Sequence, residues 1–210
     1  MLEVIKNRIY TKTKDNYIHY GEKIIREGTM YLREWSPDSS KIAAAIKKGF
    51  KLKLNSESNV LYVGCSTGTT LSHVTDIVVN GNIVANDISP ECMISLLQLM
   101  KIKKNIIPIL SDYRVLTENK ELDKEKFTFI FQDVSQKDQT DIFLEILKKF
   151  LAVGGQAAIS LKTRSIDSSK SPKAVLDKEV LKIKKAGFRI INTYNLEPFE
   201  KEHYFLEISI

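Results

Sequence analysis

Cysteine is nearly absent from this chain: Cys65 and Cys92 are the only two in 210 residues. Two cysteines build no disulfide framework, and they fit a reducing cytosol. Histidine is almost as scarce. His19, His73 and His203 stand far apart without metal-ligand spacing, so no metal site is expected. No apolar run approaches the roughly 20 residues that a membrane span requires. The opening Met1-Leu2-Glu3-Val4-Ile5-Lys6 lacks the apolar stretch of a secretory signal. These deficits predict a cytoplasmic protein with no membrane partner. There is no internal repeat and no low-complexity tail either.

What is present is an ordinary globular composition, 43% hydrophobic, with a net charge of +6. The length suits one sizeable core with a small appendage. Lysines cluster at Lys47 to Lys53, Lys101 to Lys104 and Lys182 to Lys185. Such a surface would attract phosphate backbones in a salt-dependent way. Lysine-rich solvated helix faces produce the same composition, so charge alone leaves nucleic acid open.

Residues 1–33 carry short alternating runs, Val4 to Tyr10 and Tyr17 to Tyr20, which predict a small antiparallel sheet. Tyr31 to Pro37 is a junction. Ser39 or Ser40 can cap a helix from Lys41 to Lys48, with Gly49 ending it. Strand and helix patterns alternate from there. Strands are predicted at 59–63, 82–86, 106–110, 127–132, 156–161, 188–194 and 203–209, and helices at 70–78, 90–103, 138–151 and 172–186. Repeated strand–helix units predict an α/β fold, a Rossmann-like sheet, mostly parallel and covered on both faces. The last two strands predict a hairpin, hence an antiparallel edge strand. The predicted division is a small β domain at 1–33 and an α/β domain at 34–210.

Gly64-Cys65-Ser66-Thr67-Gly68-Thr69-Thr70 joins an apolar strand to a helix. That is how a doubly wound domain opens a nucleotide pocket. The loop lacks the full G-x-G-x-x-G signature and is weak evidence alone. Three acids sharpen it: Asp87, Asp112 and Asp133 follow successive strands. In an open parallel sheet all three would face one crevice. Carboxylates suit the donors of a ribose and an adenine, and they repel a pyrophosphate. S-adenosylmethionine, with a positive sulfonium and no phosphate, is the cofactor that fits such a lining. Lys162 ends the next apolar strand and needs a partner, for which Asp133 is the obvious candidate. A lysine beside a hydroxyl lowers its pKa or takes its proton, which points to alkyl transfer to a hydroxyl without a metal. The bland alternative is an ion pair that only fixes geometry. Trp35 reads as junction packing, with base stacking the other option.

With these residues assembled, the chain resembles the fibrillarin family, the 2′-O-methyltransferases of box C/D guide ribonucleoproteins, most closely the archaeal type. The resemblance runs from Tyr31 to Ser209. It rests on Tyr31-Leu32-Arg33-Glu34-Trp35, on Ser40 to Ile46, on Val60 to Gly64 with the Ser-Thr-Gly-Thr-Thr loop, and on Ser72 to Asp76. Asp133-Val134-Ser135-Gln136, Lys162-Thr163-Arg164-Ser165-Ile166-Asp167 and Asn195 to His203 complete it. The last two segments are the family-specific ones. The resemblance implies a methyltransferase domain of the S-adenosylmethionine-dependent class I type that acts on RNA ribose. Its catalytic set maps onto Asp133, Lys162 and His203, with Lys41 as a fourth member. Gly64, Thr69, Thr70, Asp87, Ile88, Asp112, Tyr113, Asp133, Val134, Ser135 and Gln136 would line the cofactor. Implied partners are a box C/D guide RNA, target rRNA and tRNA, a Nop-domain scaffold protein and a kink-turn-binding ribosomal-type protein, in a cell without a nucleus.

The chain departs from the family pattern in places. Ser36-Pro37-Asp38 puts an acid where the family has an arginine; Asp87 replaces a glutamate, Gln132 an acid and Cys65 an alanine. Two other readings stand beside the main one. A stand-alone methyltransferase of the same fold would act without RNA, and a silent assembly subunit would function without methylating.

Overall fold

The computed structural model describes residues 1–209. Four strands open it: β1 (Leu2–Ile5), β2 (Arg8–Thr13), β3 (Ile24–Glu27) and β4 (Met30–Glu34). They form an antiparallel sheet in the order β1-β2-β4-β3. The alternating run from Val4 to Tyr10 is a hairpin. Lys6 and Asn7 turn it with φ of 46° and 65°, the twist that flanking strands prefer. Tyr17 to Tyr20, predicted as strand, is a loop. The Glu22 carboxylate accepts the backbone N–H groups of His19 and Tyr20, at 3.1 and 2.7 Å, and so takes the place of a ladder partner.

The rest alternates. In chain order it runs α1 (Lys41–Lys47), β5 (Val60–Val63), α2 (Thr69–Ile77), β6 (Ile83–Asp87), α3 (Pro90–Met100), β7 (Ile106–Leu110), β8 (Phe127–Gln132), α4 (Gln139–Phe150), β9 (Leu151–Lys162), α5 (Thr163–Ile166), α6 (Pro172–Lys185), β10 (Arg189–Asn195) and β11 (His203–Ser209). Local chemistry sets the helix starts. Ser40, Ser89 and Ser171 accept N–H groups of the first turns, and Pro90 and Pro172 occupy first helical positions, where no N–H is needed.

The seven strands order as β10-β11-β9-β8-β5-β6-β7. β5 pairs in parallel with β6 and β8, and β8 with β9. The antiparallel strand is β11, and it lies one position inside the rim, between β9 and β10. Antiparallel pairing with β11 turns β10 parallel to the rest. This insertion brings His203 beside Lys162. β9 also begins earlier than predicted, at Leu151, because a bulge around Gly154 and Gly155 carries the pairing past the helix end. α3 stops at Met100, before the predicted 103. The turn beyond it directs Lys103 inward onto Asp76 and Asp15. A 3-10 turn over Tyr113–Glu118 and the single turn α5 carried no periodicity by which to predict them.

Each strand alternates between two cores. Leu61, Val63 and Ile130 face a layer from α4 and α6, while Val60, Tyr62, Phe129 and Phe131 face α1, α2 and α3. The small sheet leans on α2 through Trp35 and Arg33, both fully buried. Trp35 stacks on His73, with ring centroids 5.0 Å apart, so base stacking is excluded and packing is its role.

Candidate active site

The parallel strands end on one side, and the predicted site residues gather there. β5 leaves the sheet at Gly64, whose φ is +78°. A Cβ at Gly64 would lie 2.5 Å from the Asp133 carbonyl oxygen and 2.8 Å from Val134, so glycine is what allows these two strand ends to meet. Asp87 closes β6. Its carboxylate accepts the Ser66 N–H at 2.7 Å and the Ser89 N–H at 3.0 Å, and the Tyr113 hydroxyl lies 3.5 Å away. Ile88 stays exposed beside it. Asp112 caps the 3-10 turn by accepting the Arg114 N–H at 2.8 Å. Its carboxylate also pairs with the Arg114 guanidinium, which a second acid, Asp138, shares.

This lining fits S-adenosylmethionine. Asp87 and Asp133 supply acceptors for a donor-rich, cationic ligand, and the nearby Arg114 is already committed to two carboxylates. The Gly64 turn leaves backbone room that any side chain would fill. A groove of about 590 Å³ between the small sheet and α2 reaches the start of that helix at Thr69, and one of about 380 Å³ lies at the opposite strand ends. Neither contains Asp87 or Asp133, and the chemistry of the lining places the site.

The expected Asp133–Lys162 ion pair is absent among the described residues. Asp133 pairs instead with Lys41, at 3.5 Å, and Lys41 also reaches Glu200 at 3.3 Å. The reason is tertiary. Lys41 is the first residue of α1, and the cap of that helix, Ser40, accepts the Thr70 hydroxyl at 2.9 Å. That bond ties the start of α1 to the start of α2, above the end of β8. Burial pushes the Asp133 carboxyl up, and Lys41 and His203 offset this only in part. Burial pulls Lys41 down, but Asp133 and Glu200 outweigh it and raise the ammonium above its usual value. Lys41 is therefore a held cation.

Lys162 and His203 are register partners on β9 and β11. Lys162 has no carboxylate at ion-pair distance among the described residues. Gln139 fixes the Lys162 backbone, accepting its N–H at 3.0 Å. His203 is buried, and its Nδ1 donates to the Lys201 carbonyl at 2.7 Å, which leaves Nε2 as the ring nitrogen not engaged there. The Arg164 guanidinium grips Glu202 at 2.6 and 2.8 Å, and Thr163 donates to the Glu202 carbonyl. The two most family-specific segments are thus one structural unit, with Lys162 and His203 at its centre. Val134 packs against Gly64. Ser135 and Gln136 begin the loop beyond β8, and the Gln136 carbonyl accepts from Gln139. Cys65 is buried, which pushes its thiol up and keeps it unreactive.

Sequence reasoning missed Glu200. The only signal was its place in the stretch Glu197-Pro198-Phe199-Glu200, whose pattern is equally that of a solvated turn.

Residues 2–209 match the family model described as Fibrillarin. The fibrillarin-like rRNA/tRNA 2′-O-methyltransferase of Methanothermobacter thermautotrophicus is 42% identical over 186 residues, 88% of this chain and 82% of that protein. Among solved structures, Aeropyrum pernix fibrillarin in complex with natively bound S-adenosyl-L-methionine superposes with a TM-score of 0.88 at 32% identity, over 99% of this chain and 93% of that one. The fibrillarin of a fibrillarin/Nop5p complex does so with a TM-score of 0.88 at 38% identity, over 99% and 96%.

Proposed function

The chain belongs to the fibrillarin family, and we propose on that premise how its residues carry out the reaction. It is an S-adenosylmethionine-dependent enzyme that methylates ribose 2′-hydroxyls of rRNA and tRNA, with a Nop-domain protein as partner. We further propose that a box C/D guide RNA selects the nucleotide, that a kink-turn-binding protein joins the particle, and that it works in the cytoplasm.

The observation that carries this reading is the convergence at the strand ends of the cation Lys41, the carboxylate Asp133 and, at the end of β9, Lys162, which has no ion pair among the described residues. When bound, S-adenosylmethionine supplies an already activated methyl group, so no metal is needed. Asp87 would hold the ribose of the cofactor, with Ile88, Asp112 and Tyr113 near the adenine. Gly64, Thr69 and Thr70 would frame the methionine end, together with Asp133, Val134, Ser135 and Gln136.

The chain's own contribution is to the hydroxyl. A 2′-hydroxyl must lose its proton as it attacks. Lys41 stays an ammonium between Asp133 and Glu200, so it stabilises the developing oxyanion and takes no proton. Lys162, at the end of β9, would stand beside the hydroxyl and ease its proton loss. His203 Nε2, at the neighbouring register position, can orient the Lys162 ammonium or the hydroxyl. Asp133 fixes Lys41. Placement of the hydroxyl in line with the methyl supplies much of the acceleration.

The test is tritiated methyl transfer to a target RNA in a particle reconstituted with a matching guide. Ribose methylation at the guided nucleotide, lost in Lys162→Ala and Asp133→Ala, supports the reading. An assembled particle with bound cofactor and no transfer overturns it in favour of a silent subunit, and transfer without RNA favours a stand-alone enzyme.

A further inference from the structure

Beyond the backbone bonds of Gly64 and Cys65 to the Asn86 carbonyl and of Gly68 to the Cys65 carbonyl, the glycine loop is held by side chains from outside. Gly64, Ser66 and Gly68 take positive φ, of 78°, 51° and 94°. For Ser66 that conformation is disfavoured, and it persists only when surrounding groups determine it. Two side chains from outside do so. Asp87 accepts the Ser66 N–H at 2.7 Å. Tyr20, from the loop between β2 and β3, donates its hydroxyl to the Thr67 carbonyl. A Cβ on Gly68 would lie 2.9 Å from that hydroxyl, so the missing side chain admits the tyrosine.

Tyr20 is itself anchored to the body it holds. Glu22 accepts the Tyr20 N–H at 2.7 Å and, through Oε1, the Arg33 Nε–H at 2.9 Å. Arg33 donates to the Ser72 carbonyl at 3.1 Å, the Ser72 hydroxyl at 3.0 Å and Asp76 at 2.7 Å. Ser72 and Asp76 lie on α2, the helix that the glycine loop starts. Partial burial pushes the Tyr20 hydroxyl up to about 12, so it remains a donor across the working pH range.

We propose that Tyr20 is a positioning residue for the cofactor: it holds the Thr67 peptide, and through it the small N-terminal sheet sets cofactor affinity. This rests on Gly64 to Thr70 being the cofactor loop. Equilibrium dialysis of full-length protein with tritiated S-adenosylmethionine tests it. Tyr20→Phe keeps the ring and loses the bond, and its Kd should rise roughly two- to tenfold, the worth of one hydrogen bond. Tyr17→Phe, on the same loop, should bind as the wild type does. Hydrogen exchange at the Thr67 and Gly68 amides should quicken in Tyr20→Phe at an unchanged melting temperature. In the reconstituted particle its KM for cofactor should rise while kcat at saturating cofactor holds. An unchanged Kd, with wild type binding normally, overturns this inference alone. A lowered melting temperature with kcat falling alongside overturns it in favour of a merely structural role. Wild type that fails to bind the cofactor overturns the cofactor-loop reading as well.

Discussion

Arg33 and Lys41 stand in neighbouring segments of the chain, and each is shared between two carboxylates, yet their surroundings differ. Arg33 is fully buried, with Glu22 and Asp76, in the seam between the small sheet and α2. Asp76 also takes Lys103 at 2.6 Å and the Thr11 hydroxyl at 2.7 Å. Because the Thr11 hydroxyl donates there, it must accept from His73 Nδ1, at 2.9 Å, and burial pulls the His73 ring well below its usual value, so it is neutral. The central charges of the seam, Arg33 and Asp76, are satisfied and closed to solvent, and Glu22 keeps only 9% of its side chain exposed. Lys41 keeps 27% of its side chain exposed, and Asp133 and Glu200 keep 19% and 25%. Charges in the crevice are partnered but open. A closed network specifies how two parts dock, and an open one has capacity left for a substrate.

Substitutions should separate the two regions. The largest effect belongs to the crevice: Lys162→Ala should lower methyl transfer by about 10²–10⁴-fold. Its urea midpoint should stay near wild type, since Lys162 has no ion partner among the described residues to strand. An equal fall in stability would erase the contrast. Asp76→Ala should do the reverse, costing about 3–5 kcal/mol in urea unfolding because it removes the buried acceptor that Arg33, Lys103 and the Thr11 hydroxyl share. A loss nearer the ~0–1 kcal/mol of surface pairs would show that the seam is looser than its burial implies.

Glu200→Gln sharpens the comparison. Transfer should fall roughly three- to tenfold, as for one charge-assisted contact. The more telling readout is the pH–rate profile. Glu200 raises both Lys41 and Asp133, so its removal lowers both. The acid and alkaline limbs should move together to lower pH. A shift of one limb alone would place Glu200 outside the pair.

The smallest effect is the acid response of the seam. Burial pushes Glu22 up, but the N–H groups of His19 and Tyr20 and the Arg33 guanidinium outweigh it and hold the carboxyl at about 2. Its contribution is present above the ordinary value near 4.5 and is lost as pH falls towards 2. Burial, with Arg33 and Lys103, lowers His19 to about 4. The unfolded chain binds that proton first, so stability also declines from about 6.5 down to 4. Melting temperature against pH should fall across both windows. In Glu22→Gln the lower window should flatten, and an unchanged slope there would remove Glu22 from the seam.

Much of this was legible in the chain. Every strand and long helix from Lys41 onward was readable from periodicity and serine caps, within a few residues at the ends. The acids at strand ends were readable because a parallel sheet sends all such ends to one side. The lysine clusters were less so: Lys103, one of three lysines between 101 and 104, is buried on Asp76 and unavailable to phosphate. Tyr17 to Tyr20 read as strand because alternation cannot distinguish a ladder from a loop tied down by Glu22.

The sequence by itself determined the alternation of elements, the glycine turn and the residues that stand at the strand ends, because turns, caps and hydrophobic periodicity act over a few neighbours. Only the tertiary structure decided that Lys41 meets Asp133 and Glu200, that Lys162 finds no ion pair among the described residues, that β11 slots in beside β9, and that Tyr20 reaches the glycine loop. Those outcomes depend on ångström-scale separations between segments remote in the chain, and packing sets such distances where no local preference can.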